Sequence, residues 1–151
     1  MIVNSAFYKA IILGFKNYFN FKTRASRAEY WLWTAFIPII MILIGKTGMV
    51  GLILWIIVII PTIFLNVRRL HDVNFRGWWF LINFIPIVGW IWSLYLLYLF
   101  CLKGDEKPNR FGKPPQILEI TTFDKILLVV MACGIVLVPL LGYVSNIGKN
   151  F

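Results

Sequence analysis

The residues whose types and spacing could do chemistry lie together in Arg68-Arg69-Leu70-His71-Asp72, followed closely by Arg76 and Gly77-Trp78-Trp79. His71, the only histidine, could act as a general base. Arginines beside a membrane could hold a phosphate or carboxylate through paired N–H donors. On a helix Arg68 and Asp72 are four apart and share a face, so they are expected to pair. His71 lies about 100° around from Asp72, and Arg69 points elsewhere again. The other parts of a catalytic site are missing from the sequence. No serine or cysteine is spaced as an activated nucleophile, and one His with one Asp is too few ligands for a metal. No glycine-rich phosphate loop or cofactor fingerprint occurs either, so neither metal nor cofactor is expected. His71 and Asp72 remain the only catalytic candidates. The competing role for the stretch is structural: arginines anchor the end of a span, and Asp72 neutralises one of them.

The elements that position these residues are apolar. Of 151 residues 60% are hydrophobic and 17% aromatic, and the mean hydropathy is +0.82. A soluble domain of this size could not bury so much apolar side chain. Runs such as Leu52-Ile53-Leu54-Trp55-Ile56-Ile57 have no polar face, which is the pattern of a membrane span. The net charge of +9 is spread around such runs and is not concentrated on a polar domain. It therefore reads as topology-setting charge with attraction to anionic lipids, and not as a nucleic-acid surface. Cys101 and Cys133 fall in apolar stretches and are expected to be buried free thiols. Lys9 and Lys16 interrupt the N-terminal apolar residues, so no cleavable signal peptide is expected.

In chain order, Phe7, Ile11, Phe15, Tyr18 and Phe19 share helical spacing, as in an interfacial helix or one packed on the membrane bundle. Ser26-Arg27-Ala28-Glu29 is a capping box: Ser26 accepts from the Glu29 amide and the Glu29 carboxylate returns to Ser26. It opens a first span over about 28–45, with Pro38 inside it. A short turn through Gly45-Lys46-Thr47-Gly48 leads into a second span over about 49–66. Residues 78–102 are apolar but broken at Pro86-Ile87-Val88-Gly89, so they either form a kinked span or re-enter. A last span covers about 126–144, since crossing about 30 Å needs about 20 helical residues. If 78–102 crosses, nine Lys or Arg lie on the N-terminal side and six opposite; if it re-enters, thirteen and two do. The positive-inside rule favours re-entry with a cytoplasmic N-terminus. Asn83 is the one strongly polar residue in the third segment, and no ionisable residue sits inside a span, which argues against an ion pathway.

Four segments occur in order: Thr23-Arg24-Ala25-Ser26-Arg27-Ala28-Glu29-Tyr30-Trp31, Arg68-Arg69-Leu70-His71-Asp72, Gly77-Trp78-Trp79 and Asn109-Arg110-Phe111-Gly112. In these the chain resembles the DUF805 family of small bacterial inner-membrane proteins over roughly residues 7–115. The resemblance implies a helical fold in the bacterial cytoplasmic membrane and no known reaction. Thr23, Arg76 and Lys113 depart from the family pattern, and the 126–144 span lies beyond it.

Together these readings give an all-α, polytopic membrane protein. Residues 1–27 form a cytoplasmic amphipathic segment, 28–115 the membrane domain, and 116–151 an appended span. Arg24, Arg27, Arg68, Arg69, His71, Asp72, Asn109 and Arg110 are expected to converge on one cytoplasmic polar cluster. Ser26, Glu29, Gly77, Trp78 and Trp79 take structural roles. The functional expectation is a binding or scaffold module for anionic lipid headgroups or a protein partner, including a second copy of the chain. The alternative is a membrane enzyme or small transporter acting on an anionic or phosphate-bearing substrate.

Overall fold

A computed structural model describes the backbone of residues 5–44 and 47–147, and side chains in that range except at 43, 44 and beyond 134. The turn residues Gly45 and Lys46 and the tail residue Lys149 lie outside the described residues. In order come α1 (Ala6–Lys16), α2 (Arg27–Ile44), α3 (Met49–Asp72), a 3₁₀ segment η1 (Gly77–Phe84), α4 (Val88–Cys101) and α5 (Thr122–Ile147). No strand occurs among the described residues; one isolated bridge joins Asn109 and Gly112.

α3 is the axis of the molecule. Its 24 residues extend about 36 Å at 1.5 Å per residue, enough to cross a hydrocarbon core. Among the described residues it is the one helix long and apolar enough for that by composition. Pro61 lies inside it and leaves the carbonyl four residues earlier, on Ile57, without its helical donor. The Tyr18 hydroxyl donates to that carbonyl at 2.9 Å. The helix then runs on past 66 to Asp72 and ends in a Schellman motif. Phe75 N–H donates to Leu70 O (2.9 Å) and Asn74 N–H to His71 O (3.1 Å), with Asn74 at φ 61°. Asparagine tolerates that left-handed backbone better than most residues, and Phe75 packs back on the cluster around Leu70.

α2 packs beside α3 through Trp33, Val58 and Leu65. The Trp33 indole N–H donates to Thr62 Oγ1 at 2.9 Å, which places a buried polar atom at no cost in unmade bonds. The capping box at its start is half as expected. Ser26 Oγ accepts from the Glu29 amide (3.2 Å), but the principal partner of the Glu29 carboxylate is Arg68.

α1 packs on α2 through small residues together with part of its aromatic stripe: Phe7 meets Phe36 edge-on at 6.5 Å and Phe15 meets Trp33 at 5.3 Å. Ala6, Ala10 and Gly14 are buried, and a Cβ at Gly14 would sit 2.2 Å from the Trp33 ring. Small residues at four-residue spacing let two helices approach closely. Tyr8 and Ile12 are left exposed.

The stretch after α3 is two short arms. The chain breaks at Ile85–Ile87, where Ile87 has φ 65°, and α4 begins at Val88. α4 has 14 residues, about 21 Å, which is short of about 30 Å. The arms lie against each other: Trp92 Nε1 donates to Trp79 O (2.8 Å), and the two indoles stack at 5.1 Å. Gly89 lies so close to Asn83 that a Cβ would meet its carbonyl oxygen at 2.5 Å. Both ends of the pair return to the C-terminal end of α3. Gly77 abuts Val67, while the carbonyls of Phe100 and Leu102 accept from Arg69.

The two cysteines are exposed, contrary to the expectation of burial. Apolar neighbours in sequence do not place a residue on a packed face, and each thiol lies on an outward side of its helix.

Candidate functional site

Where α3 ends, the start of α2, the end of α4 and the loop after it are drawn together around one carboxylate. Asp72 is 3% exposed. Its Oδ1 accepts from Arg24 Nε at 3.0 Å and lies 2.9 Å from Arg24 Nη2, while its Oδ2 accepts from Arg69 Nη1. Its backbone carbonyl accepts from the Asp105 amide at 2.9 Å. A Cβ at Gly104 would stand 1.9 Å from Oδ2, so the loop passes there only as glycine.

The two guanidinium groups spend their other donors on carbonyls. Arg24 donates to Lys107 O (2.9 Å) and to Asp105 O, drawing the loop onto the bundle. Arg69, fully buried, donates to Phe100 O (3.1 Å) and Leu102 O at the end of α4. Positive charge there also complements the negative end of the helix dipole.

Arg68 pairs with Glu29 (2.8 Å) and not with Asp72, which corrects the i,i+4 expectation. Arg69, expected to point elsewhere, is the helix neighbour that Asp72 binds, at i,i+3. Both spacings bring side chains onto one helix face. The choice is made by Glu29, which α2 holds beside Arg68, and by Arg24, which reaches Asp72 from the opposite side.

His71 is nearly buried, with its ring stacked on Phe111 at 3.8 Å and 4° between planes. Its Nδ1 lies 3.3 Å from Thr23 O; in the neutral tautomer Nδ1–H donates to that carbonyl. Among the described residues no hydrogen bond joins the His71 and Asp72 side chains, so they do not form an acid–base dyad.

Asn109 Nδ2 donates to His71 O at 2.9 Å, and its Oδ1 accepts from the Phe111 amide. Arg110 lies at the rim, exposed, with Nη2 donating to Asn74 O at 2.5 Å. Arg27 is exposed as well, and its one side-chain hydrogen bond among the described residues is to Cys101 O, at 3.4 Å. Five of the eight expected residues thus meet in one buried knot, with the half-buried Asn109 bonded to its edge, and Arg27 and Arg110 stand outside it.

Residues 18–113 match the model of a family described as "Protein of unknown function (DUF805)". The chain belongs to the DUF805 family. It is 36% identical over 109 residues to "Inner membrane protein YhaI" of Escherichia coli strain K12, covering 67% of this chain and 90% of that protein. It is 32% identical over 114 residues to "Inner membrane protein YhaH" of the same strain, covering 68% of this chain and 92% of that protein. No solved structure matches the chain.

The knot lies within the DUF805 region, while α1 and α5 lie outside the matched residues. These two flanking helices are tied to each other. Asp124, fully buried, accepts from the amides of Phe7 (2.9 Å), Ala6 (3.2 Å) and Thr121 (2.8 Å), and from the Thr121 hydroxyl (2.7 Å). One carboxylate so serves the N-terminal ends of two helices, where negative charge is favoured. Burial pushes its pKa up, but the bonds from Thr121, Phe7 and Ala6 outweigh this and hold it below the ordinary value.

Sequence reasoning does not single out Gly104 or Asp124, and it reads Tyr18 only as part of an N-terminal aromatic stripe. The Thr121-Thr122-Phe123-Asp124 box is a readable helix start. Its second client in α1 leaves no local signal, and neither does Gly104.

Proposed function

We propose that this DUF805 protein is a multi-pass inner-membrane binding or scaffold module whose cytoplasmic face holds anionic lipid headgroups. The observation that carries the reading is a division among the cations. Arg24, Arg68 and Arg69 are buried and ion-paired: Arg24 and Arg69 with Asp72 and backbone carbonyls, Arg68 with Glu29 through Nη2, its Nε being left without a partner among the described residues. Arg27, Arg76, Lys107, Arg110 and Lys113 are exposed and make no ion pair among the described residues. The buried knot is then the frame, and the outer cations are the binding surface. Each Lys or Arg near an anionic surface contributes about 1 kcal/mol of attraction.

In this arrangement residues 28–115 form the membrane domain, with the N-terminus and the loop after α4 on the cytoplasmic side. The η1–α4 pair enters and leaves on that side, and α5 crosses as an added span. The shortness of α4 and the return of both arms to one end of α3 support this threading. So does the thirteen-to-two division of Lys and Arg.

Native mass spectrometry in mild detergent tests the reading. Phosphatidylglycerol and phosphatidylcholine with matched acyl chains are added in turn. Several-fold greater retention of phosphatidylglycerol is expected, weakening as salt is raised because the cations are exposed. Equal retention of the two lipids would refute it.

A further inference from the structure

The Schellman end of α3 turns the chain so that Arg76 and the first residues of η1 face the rim of the knot. A cleft of about 340 Å³ opens there, lined by Asn74, Phe75, Arg76, Trp78, Trp79 and Arg110. Arg110 is held in place by its bond to Asn74 O and by the Phe111 ring, 4.8 Å from its guanidinium carbon. No other acceptor for it is found among the described residues. The Arg76 side chain has no hydrogen bond or ion pair there at all.

The chain's acids are engaged elsewhere or unpaired away from the cleft. Glu29 holds Arg68, Asp72 holds Arg24 and Arg69, and Glu106 holds Lys103. Asp105 accepts from Asn109, Asp124 caps helices, and Glu119 makes no ion pair. Two arginines therefore line one cleft with no counter-charge among the described residues. That is the donor arrangement suited to a phosphate.

A second cleft, of about 330 Å³, shares Trp78 with the first and is lined largely by apolar side chains, including Ile63, Phe64, Val67 and Leu81. Trp78 is stacked on Trp79 at 4.4 Å, so the wall between the clefts is held in one orientation. Leu81 is 61% exposed and Phe84 72%, continuing the apolar surface away from the arginines. A cationic cleft joined at one tryptophan to an apolar one fits a ligand with an anionic head and a hydrocarbon tail.

We propose that Arg76, Arg110 and Trp78 form a binding site for one anionic glycerophospholipid, its phosphate between the two arginines and an acyl chain in the adjoining groove. The inference rests on the headgroup reading above and narrows it from a charged surface to one site. Charge complementarity selects the phosphate, and the shared Trp78 selects a lipid over a soluble phosphate ester.

The test uses the full chain, with native mass spectrometry against dioleoyl phosphatidylglycerol. Wild type should retain one such lipid beyond the loosely held ones. Arg76→Gln and Arg110→Gln should each lower that retention roughly tenfold, about the loss of one charge-assisted bond. Lys16→Gln, on exposed α1, should leave it unchanged. The Arg76 side chain makes no hydrogen bond or ion pair among the described residues, so Arg76→Gln should melt like wild type, and its binding loss is then not a folding defect. Leu81→Gln should lower retention of the dioleoyl lipid; displacement by millimolar inorganic phosphate as readily as by lipid would overturn the acyl-groove assignment. Retention unaltered in both arginine variants would overturn the site while leaving the headgroup reading intact. Absence of any phosphatidylglycerol preference in wild type would remove both.

Discussion

Replacing Asp72 by asparagine keeps the shape of the side chain and removes one negative charge from between two buried guanidinium groups. The Arg24 and Arg69 side chains are fully buried, and the aspartate side chain is 4% exposed. Removing one partner of a buried ion pair costs about 3–5 kcal/mol, because the remaining charge stays desolvated. Two cations lose their counter-charge here, which pushes toward the upper end. Both keep carbonyl acceptors at Lys107, Phe100 and Leu102, which pulls back. The expected loss is therefore about 4 kcal/mol, a large share of the roughly 5–15 kcal/mol that holds a typical domain. Thermal unfolding in detergent, followed by tryptophan fluorescence, measures it. Double-mutant cycles then locate the coupling. Asp72→Asn with Arg24→Gln should fall short of additivity by about 1–3 kcal/mol, whereas Asp72→Asn with Arg68→Gln should be nearly additive. A single-variant loss below about 1 kcal/mol, or stronger coupling to Arg68 than to Arg24, would refute the clasp as drawn.

Gly104→Ala should disrupt the same clasp from the loop side, because the new methyl meets the Asp72 carboxylate at 1.9 Å; a melting temperature equal to wild type would show that the loop is held elsewhere. Asp124→Asn should cost about 1–3 kcal/mol at neutral pH by weakening four hydrogen bonds to one carboxylate. The Asp124 pKa is lowered on folding, so its stabilisation is present above the unfolded value of about 3.8 and is lost as pH falls through the folded value. The wild-type and Asp124→Asn curves should accordingly converge only in that acid range. Cysteines introduced at Asn74 and Lys107 into a chain lacking Cys101 and Cys133 should label from the cytoplasmic side only. Labelling of the Lys107 position from the periplasm would show that residues 77–102 cross.

The sequence by itself determined the class of the protein and where its polar residues gather. Apolar run length, proline breaks and the Ser26 cap are local, and each acts through neighbours within a turn or two, so they survive without tertiary information. The Arg68–Asp72 stretch was visible as the chemically dense segment for the same reason. Which acid meets which arginine was not visible. Helical geometry offers Asp72 both Arg68 and Arg69, and the decision falls to Arg24, 48 residues away, and to Glu29, 39 residues from Arg68. The cysteines and the face of α1 followed the same pattern: an apolar neighbourhood in sequence did not say which side packs, and the fit of Gly14 under Trp33 did. Tyr18 filling the carbonyl freed by Pro61, and Asp124 capping α1 from 117 residues away, likewise depend on chain segments meeting in space. Burial makes each of these polar pairings nearly obligatory, because an unmet charge or carbonyl away from water costs more than any local preference can supply.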